Sequence, residues 1–74
     1  MVWESIAAYL ASNGIKQIFL SERTGLSPQC ISFILQGKRR LDVEEYARIC
    51  HALGVSYDYF FPETVSASKQ RDDG

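Results

Sequence analysis

Residues 17–38 read QIFLSERTGLSPQCISFILQGK, and the rest of the chain is predicted to be organised around this stretch. It predicts two short helices joined by a tight turn. Gly25 can adopt the positive φ that ends a helix without the steric penalty that other residues incur. Ser27 can cap the following helix, and Pro28 fits its first position, where no backbone N–H is needed. Two isoleucines three residues apart give this second helix an apolar stripe. The economical interpretation is a helix-turn-helix unit.

The length and composition favour one small domain. A chain of 74 residues buries only about 60% of the surface that its unfolded form exposes, so we expect modest stability. Hydrophobic residues make up 46% of the chain, which is enough for a packed core. The apolar runs are shorter than the roughly 20 residues that span a bilayer, and the first residues lack the basic region of a secretory signal. We therefore expect a cytoplasmic protein that does not enter a membrane.

The charged residues are unevenly distributed along the chain. The formal net charge is −1, which by itself does not favour a nucleic-acid binder. Residues 1–40, however, contain five cations and two acids, a local balance of +3, and Lys38, Arg39 and Arg40 are consecutive. A basic surface on a nearly neutral protein is compatible with DNA binding, although a solvated basic loop without a partner is the alternative.

The cysteines and the histidine do not predict a metal or catalytic site. Cys30 and Cys50 are the only cysteines, there is one histidine, and no C-x-x-C spacing occurs. We therefore expect no metal and no cofactor. Cys50 is predicted to be a small buried apolar side chain. Without a plausible nucleophile or a paired acid, we do not expect an enzyme.

Capping signals predict an all-α fold of five helices. Asn13 and Gly14 should end the first helix, and Gly54 should end the fourth. Asp42 and Glu45 have the spacing of a capping box at the start of the fourth helix. The expected helices cover about residues 2–12, 17–24, 28–36, 42–53 and 57–60.

The apolar pattern also predicts which residues are buried and where the domain ends. We expect Ile18 and Leu20 to be buried by the second helix, and Val43 to belong to the buried stripe of the fourth. Residues 62–74 are polar and aperiodic. They predict a flexible tail after a domain of residues 1–61.

The chain resembles the DNA-binding helix-turn-helix domain of the lambda-repressor and Cro family, also called the Xre family. The resemblance covers about residues 4–61, and five motifs in the correct order and spacing make it strong. These motifs are Gln17, Gly25-Leu26-Ser27, Ile31-Ser32, Gly37-Lys38 and Ala52-Leu53-Gly54-Val55-Ser56. The resemblance implies a compact five-helix bundle with the helix-turn-helix as its second and third helices. It also implies a transcriptional regulator that binds double-stranded DNA sequence-specifically, as a homodimer on a palindromic site.

The same resemblance implies that the third helix is the recognition helix, which enters the major groove of DNA. Gln29 has the amide geometry to read adenine, and Ser32 could contact a base or a phosphate. Phe33 could contact a thymine methyl group or anchor another protein. Gln17 could bind a phosphate at the start of its helix, or could merely cap that helix. The candidate DNA contacts are Gln17, Ser27, Pro28, Gln29, Cys30, Ser32, Phe33, Lys38, Arg39 and Arg40.

Several residues depart from the family pattern or leave alternatives open. Leu10 and Leu35 stand where many members carry an arginine–glutamate ion pair, and replacing both partners by apolar residues is compatible with the fold. Trp3 could anchor a partner, but packing in the core or partial burial is the favoured expectation. A protein-interaction module or an antitoxin on the same scaffold is the alternative function. The aromatic residues of the fifth helix predict a homodimer contact, through Tyr57, Tyr59, Phe60 and Phe61.

Overall fold

The computed structural model describes residues 1–61, and within this range the regular secondary structure is all α-helix. The predicted tail of residues 62–74 lies outside the described residues. The helices are α1 (Val2–Asn13), α2 (Gln17–Thr24), α3 (Pro28–Leu35) and α4 (Val43–Leu53). Within residues 1–61, no helix is long and apolar enough to cross a membrane.

The predicted caps explain why the helices begin and end where they do. Ser27 Oγ accepts the N–H of Cys30 at 3.1 Å, and Pro28 is the first residue of α3. At α4, Asp42 Oδ1 accepts the N–H of Glu45 at 2.8 Å, and the Glu45 carboxylate accepts the N–H of Asp42 in return. Gly25 follows α2 with φ +80°. The predicted bounds of these helices are therefore confirmed to within one or two residues.

The predicted fifth helix is wrong, because residues 57–60 form a turn. The N–H of Tyr59 donates to the carbonyl of Ser56, and the N–H of Phe61 donates to that of Asp58, each at 3.1 Å. Both bonds span three residues, as in a turn. A four-residue segment does not recover the cost of nucleating a helix, so α4 is the last helix of the described chain.

Aromatic contacts hold this turn against the helices without a fifth helix. Phe60 is buried and meets the ring of Tyr9 edge-on, with centroids 5.5 Å apart. Phe61 stacks on Tyr46 with centroids 5.6 Å apart. The Tyr46 hydroxyl donates to the carbonyl of Tyr57, and burial raises the pKa of this phenol, which keeps it a donor. The turn therefore closes one side of the core.

A single buried cluster joins all four helices and the turn. Burial raises the pKa of the Cys50 thiol, so the neutral form is favoured, and the prediction that Cys50 is a buried apolar residue is confirmed. Leu10 and Leu35 are both buried in this cluster, and direct contact between their side chains stays a prediction. The cluster consists of Ile6, Leu10, Leu20, Ile31, Leu35, Ile49, Cys50 and Phe60.

Two predictions of burial are wrong. Ile18 is 49% exposed, because α2 buries the face that carries Leu20 and Thr24, and Ile18 lies about 200° from Leu20 around the helix. Val43 is 85% exposed, although it shares a face of α4 with Cys50 seven residues later. As the first residue of α4, Val43 projects past the end of the core and borders a groove.

Candidate nucleic-acid interface

Side-chain hydroxyls of α2 fix the turn between α2 and α3. Ser21 Oγ donates to the carbonyl of Leu26 at 2.6 Å, and Thr24 Oγ1 accepts the N–H of Leu26 at 3.2 Å while donating to the carbonyl of Leu20 at 2.7 Å. Both backbone groups of Leu26 are thereby satisfied, which fixes where α3 begins relative to α2. Sequence reasoning missed this pair of contacts. The available signal was the pair of hydroxyl-bearing residues near and at the end of α2, Ser21 and Thr24, beside the turn glycine Gly25.

One side of α3 is exposed and mostly polar. At 100° per residue, Gln29, Ser32, Phe33 and Gln36 lie within an arc of about 100°, opposite the three buried residues of the helix. Phe33 is 39% exposed, and Gln29 is exposed. Gln36 Nε2 donates to Ser32 Oγ at 2.7 Å. Cys30 lies at the edge of this arc and is half-buried. The sequence-predicted contacts Gln29, Ser32 and Phe33 therefore share one surface, and Gln36 joins them.

The starts of α2 and α3 present polar groups of different kinds. Ser27 and Pro28 are exposed at the start of α3, where the Ser27 hydroxyl accepts its capping bond and keeps its own proton for donation. Gln17 is exposed at the start of α2, and within residues 1–61 its side chain makes no hydrogen bond. Lys16, the capping residue of α2, supplies no side-chain bond. The first turn of α2 therefore leaves backbone donors for an anion.

The three consecutive cations after α3 differ in their environments. Arg39 forms a bidentate ion pair with Glu45, with both N–O distances at 2.8 Å. The hydrogen bond from Arg39 lowers the pKa of Glu45, and the same bond raises the pKa of Arg39. Lys38 and Arg40 are exposed and form no ion pair with any residue of the described chain. Arg39 thus ties the loop to α4, while Lys38 and Arg40 keep their charges available.

The end of α3 requires glycine at position 37. The N–H of Lys38 donates to the carbonyl of Phe33 at 2.9 Å, and the N–H of Gly37 donates to that of Ile34 at 3.1 Å, the pattern of a Schellman motif. Gly37 has φ +75°, and a Cβ there would lie 2.5 Å from Cζ2 of Trp3. The Trp3 ring therefore packs directly on the backbone of Gly37. The prediction that Trp3 packs against the domain is confirmed.

A family of known proteins matches the part of the chain that contains these helices, the turn and the basic loop. The family described as Helix-turn-helix matches residues 6–60, from within α1 to the aromatic turn. No curated protein and no solved structure matches the chain significantly. The match covers well over half of the chain and contains the fixed turn, the exposed side of α3 and the basic loop. The chain therefore belongs to the lambda-repressor/Xre-like helix-turn-helix family, whose members are DNA-binding regulators.

Proposed function

We propose that the protein is a transcriptional regulator that reads a specific DNA sequence by placing the exposed side of α3 in the major groove. One observation carries the proposal: the Gln29 side chain is exposed on a helix that leads into a loop with two cations, Lys38 and Arg40, that form no ion pair within residues 1–61. Base readout needs an available donor–acceptor pair on a helix that fits the groove, and binding of the backbone needs cations beside it.

Base readout is assigned to Gln29 and Phe33. The Gln29 amide can bond both N6 and N7 of adenine, and the exposed part of the Phe33 ring can contact a thymine methyl group. Ser32 and Gln36 are bonded to each other, and we propose that this pair contacts a base edge or a phosphate as a unit. Cys30, at the edge of this surface, serves as a small spacer.

Phosphate contacts are assigned to both ends of the helix-turn-helix. Gln17 and the open first turn of α2 bind one phosphate, with Ser27 and Pro28 beside the backbone at the start of α3. Lys38 and Arg40 bind phosphates past the end of α3. Arg39 contributes less, because Glu45 neutralises its charge. Replacing Arg40 by alanine should therefore lower the salt dependence of DNA affinity by about one unit, and Arg39→Ala should lower it by less.

A homodimer through the aromatic turn is part of the proposal. Phe60 and Phe61 pack within the domain. Tyr59 also meets the rings of Tyr9 and Phe60 edge-on, yet Tyr57 and Tyr59 remain 63% and 55% exposed. A two-fold dimer would bury this patch against itself. Sedimentation at tens of micromolar without DNA should show dimers that Tyr57→Ala weakens and Val43→Ala, another exposed apolar position, does not. A parent that sediments only as a monomer would contradict a preformed dimer.

The exposed Phe33 ring favours one competing function, a protein-interaction module or an antitoxin. In that case the ring anchors another protein, and Phe33→Ala leaves DNA affinity unchanged. In the proposed function the same substitution weakens binding only to sites with the contacted thymine.

Selection from a random DNA pool at about 100 mM salt, where phosphate-driven affinity is steeply salt-dependent, tests the proposal most simply. The proposal predicts enrichment of one motif with two-fold symmetry. A pool that remains random after repeated rounds would contradict sequence-specific binding.

A further inference from the structure

An open apolar groove lies between the start of α1 and the loop from α3 to α4. Its volume is about 720 Å³, within the range of roughly 300–1,000 Å³ that is typical of small-molecule sites. The half-buried side chains that line it are Val2, Trp3, Leu41, Tyr46 and Phe61. Met1 and Val43 also line it and are highly exposed, so the groove leaves apolar surface in contact with water.

The charged residues of the groove give it a positive balance. Lys38, Arg39, Arg40 and Asp42 line it together with the apolar residues. Arg39 is paired with Glu45, and the Asp42 carboxylate caps α4. Among the described residues 1–61, Lys38 and Arg40 have no ion-pair partner, so they are the charges that an occupant of the groove would match.

We propose that this groove binds a small amphiphilic anion, an apolar body that carries one carboxylate. The apolar body would cover Trp3 and Leu41, and the carboxylate would bind Lys38 or Arg40 by charge-assisted hydrogen bonds. The two cations of the groove favour a ligand with an acidic group. The apolar lining disfavours a small hydrophilic anion such as inorganic phosphate, because such an anion would lose its hydration without covering the apolar surface.

The position of the groove implies a regulatory role, which rests on the proposed DNA binding. Lys38 and Arg40 would bind the ligand carboxylate, and the same two side chains would bind the DNA phosphates. One cation cannot fully neutralise two anions at once, so ligand and DNA should compete. The chain would thus respond to a small amphiphilic anion through a groove of the DNA-binding domain itself.

Decanoate, below the concentration at which it aggregates, is a suitable probe for the site. Trp3 is the only tryptophan of the chain, so the tryptophan fluorescence arises from a residue that lines this groove. We expect a saturable change with decanoate and a weaker response to decanol, which has the same chain without the charge. The double substitution Lys38→Gln/Arg40→Gln should raise the decanoate Kd roughly tenfold, as expected for losing a charge-assisted hydrogen bond.

Two further variants separate the groove from non-specific binding. Arg48→Gln removes an exposed cation that lines a different depression, beside His51, and should leave the decanoate Kd unchanged. Val43→Glu introduces a repelling charge beside the groove, and it should weaken binding without unfolding the domain, because Val43 is exposed at the start of a helix. An unsaturable response, or equal decanoate affinity in the parent and in Lys38→Gln/Arg40→Gln, would overturn the proposal.

The fluorescence titration contains no DNA, so its failure would leave the proposed DNA binding intact. A second titration then tests the regulatory role. Saturating decanoate should raise the Kd of the parent for DNA, and this effect should disappear in Lys38→Gln/Arg40→Gln. Decanoate binding with an unchanged DNA Kd would overturn the competition.

Discussion

Replacing Gly37 by alanine should destabilise the domain more than the same change at another glycine of similar backbone conformation. An alanine at φ +75° costs about 1–2 kcal/mol through its own backbone. The added Cβ would also lie 2.5, 2.8 and 3.0 Å from three atoms of the Trp3 ring. Displacing a packed ring in this way costs a further ~1–3 kcal/mol. We therefore expect Gly37→Ala to lower the free energy of unfolding by about 2–5 kcal/mol.

Gly25 provides the matched control, with φ +80° and no atom of residues 1–61 within 4 Å of an added Cβ. Gly25→Ala should cost only the backbone penalty of about 1–2 kcal/mol. In a Trp3→Ala background the excess cost of Gly37→Ala should vanish, because the clashing ring is absent. A double-mutant cycle from urea unfolding, followed by circular dichroism, measures this coupling. The packing of Trp3 on Gly37 would be refuted if Gly37→Ala and Gly25→Ala lowered the free energy of unfolding equally. It would also be refuted if the larger loss at Gly37 persisted in the Trp3→Ala background.

Three further predictions concern the core, the turn and the basic loop. Leu35→Glu should lower the free energy of unfolding by about 3 kcal/mol, because it buries a charge without a partner; a thermal melt equal to that of the parent would contradict this. Thr24→Val should cost about 1–3 kcal/mol, because the N–H of Leu26 loses its acceptor; unchanged urea stability would exclude that role. The hydrogen bond from Arg39 lowers the pKa of Glu45 in the folded state, so the stabilisation by this ion pair is present above the ordinary pKa of glutamate and is lost as the pH falls through the lowered folded-state pKa. Melting temperatures should therefore fall less on acidification in Glu45→Gln than in the parent, and identical acid profiles would argue against the ion pair.

Local signals explain why the bounds of the four helices were predictable. The side-chain caps at the starts of α3 and α4 join residues only three positions apart, Ser27 with Cys30 and Asp42 with Glu45. Such contacts form whenever the local backbone is helical, so residue type and spacing reveal them. The short aromatic segment of residues 57–60 has too few residues to propagate a helix, and its turn is held by tertiary ring contacts.

The candidate site was predictable from the sequence only in part. Helical periodicity alone places Gln29 on the exposed side of α3, because the buried isoleucines fix the opposite side. The pairing of Arg39 with Glu45 joins a loop to a helix, and the packing of Trp3 on Gly37 joins positions 34 residues apart. Neither contact follows from composition or spacing. The distinction between an anchored Arg39 and an available Arg40 therefore required the three-dimensional structure.

In the proposed function, α3 reads bases while the loop after it binds the DNA backbone. Titration of the selected duplex and of a scrambled duplex at several salt concentrations separates these two roles. Gln29→Ala should cost about 1–3 kcal/mol on the selected duplex and little on the scrambled one. Arg40→Ala should weaken both duplexes alike and lower the salt slope by about one unit. A parent protein with no preference between the duplexes and no salt-dependent affinity would contradict the proposed function.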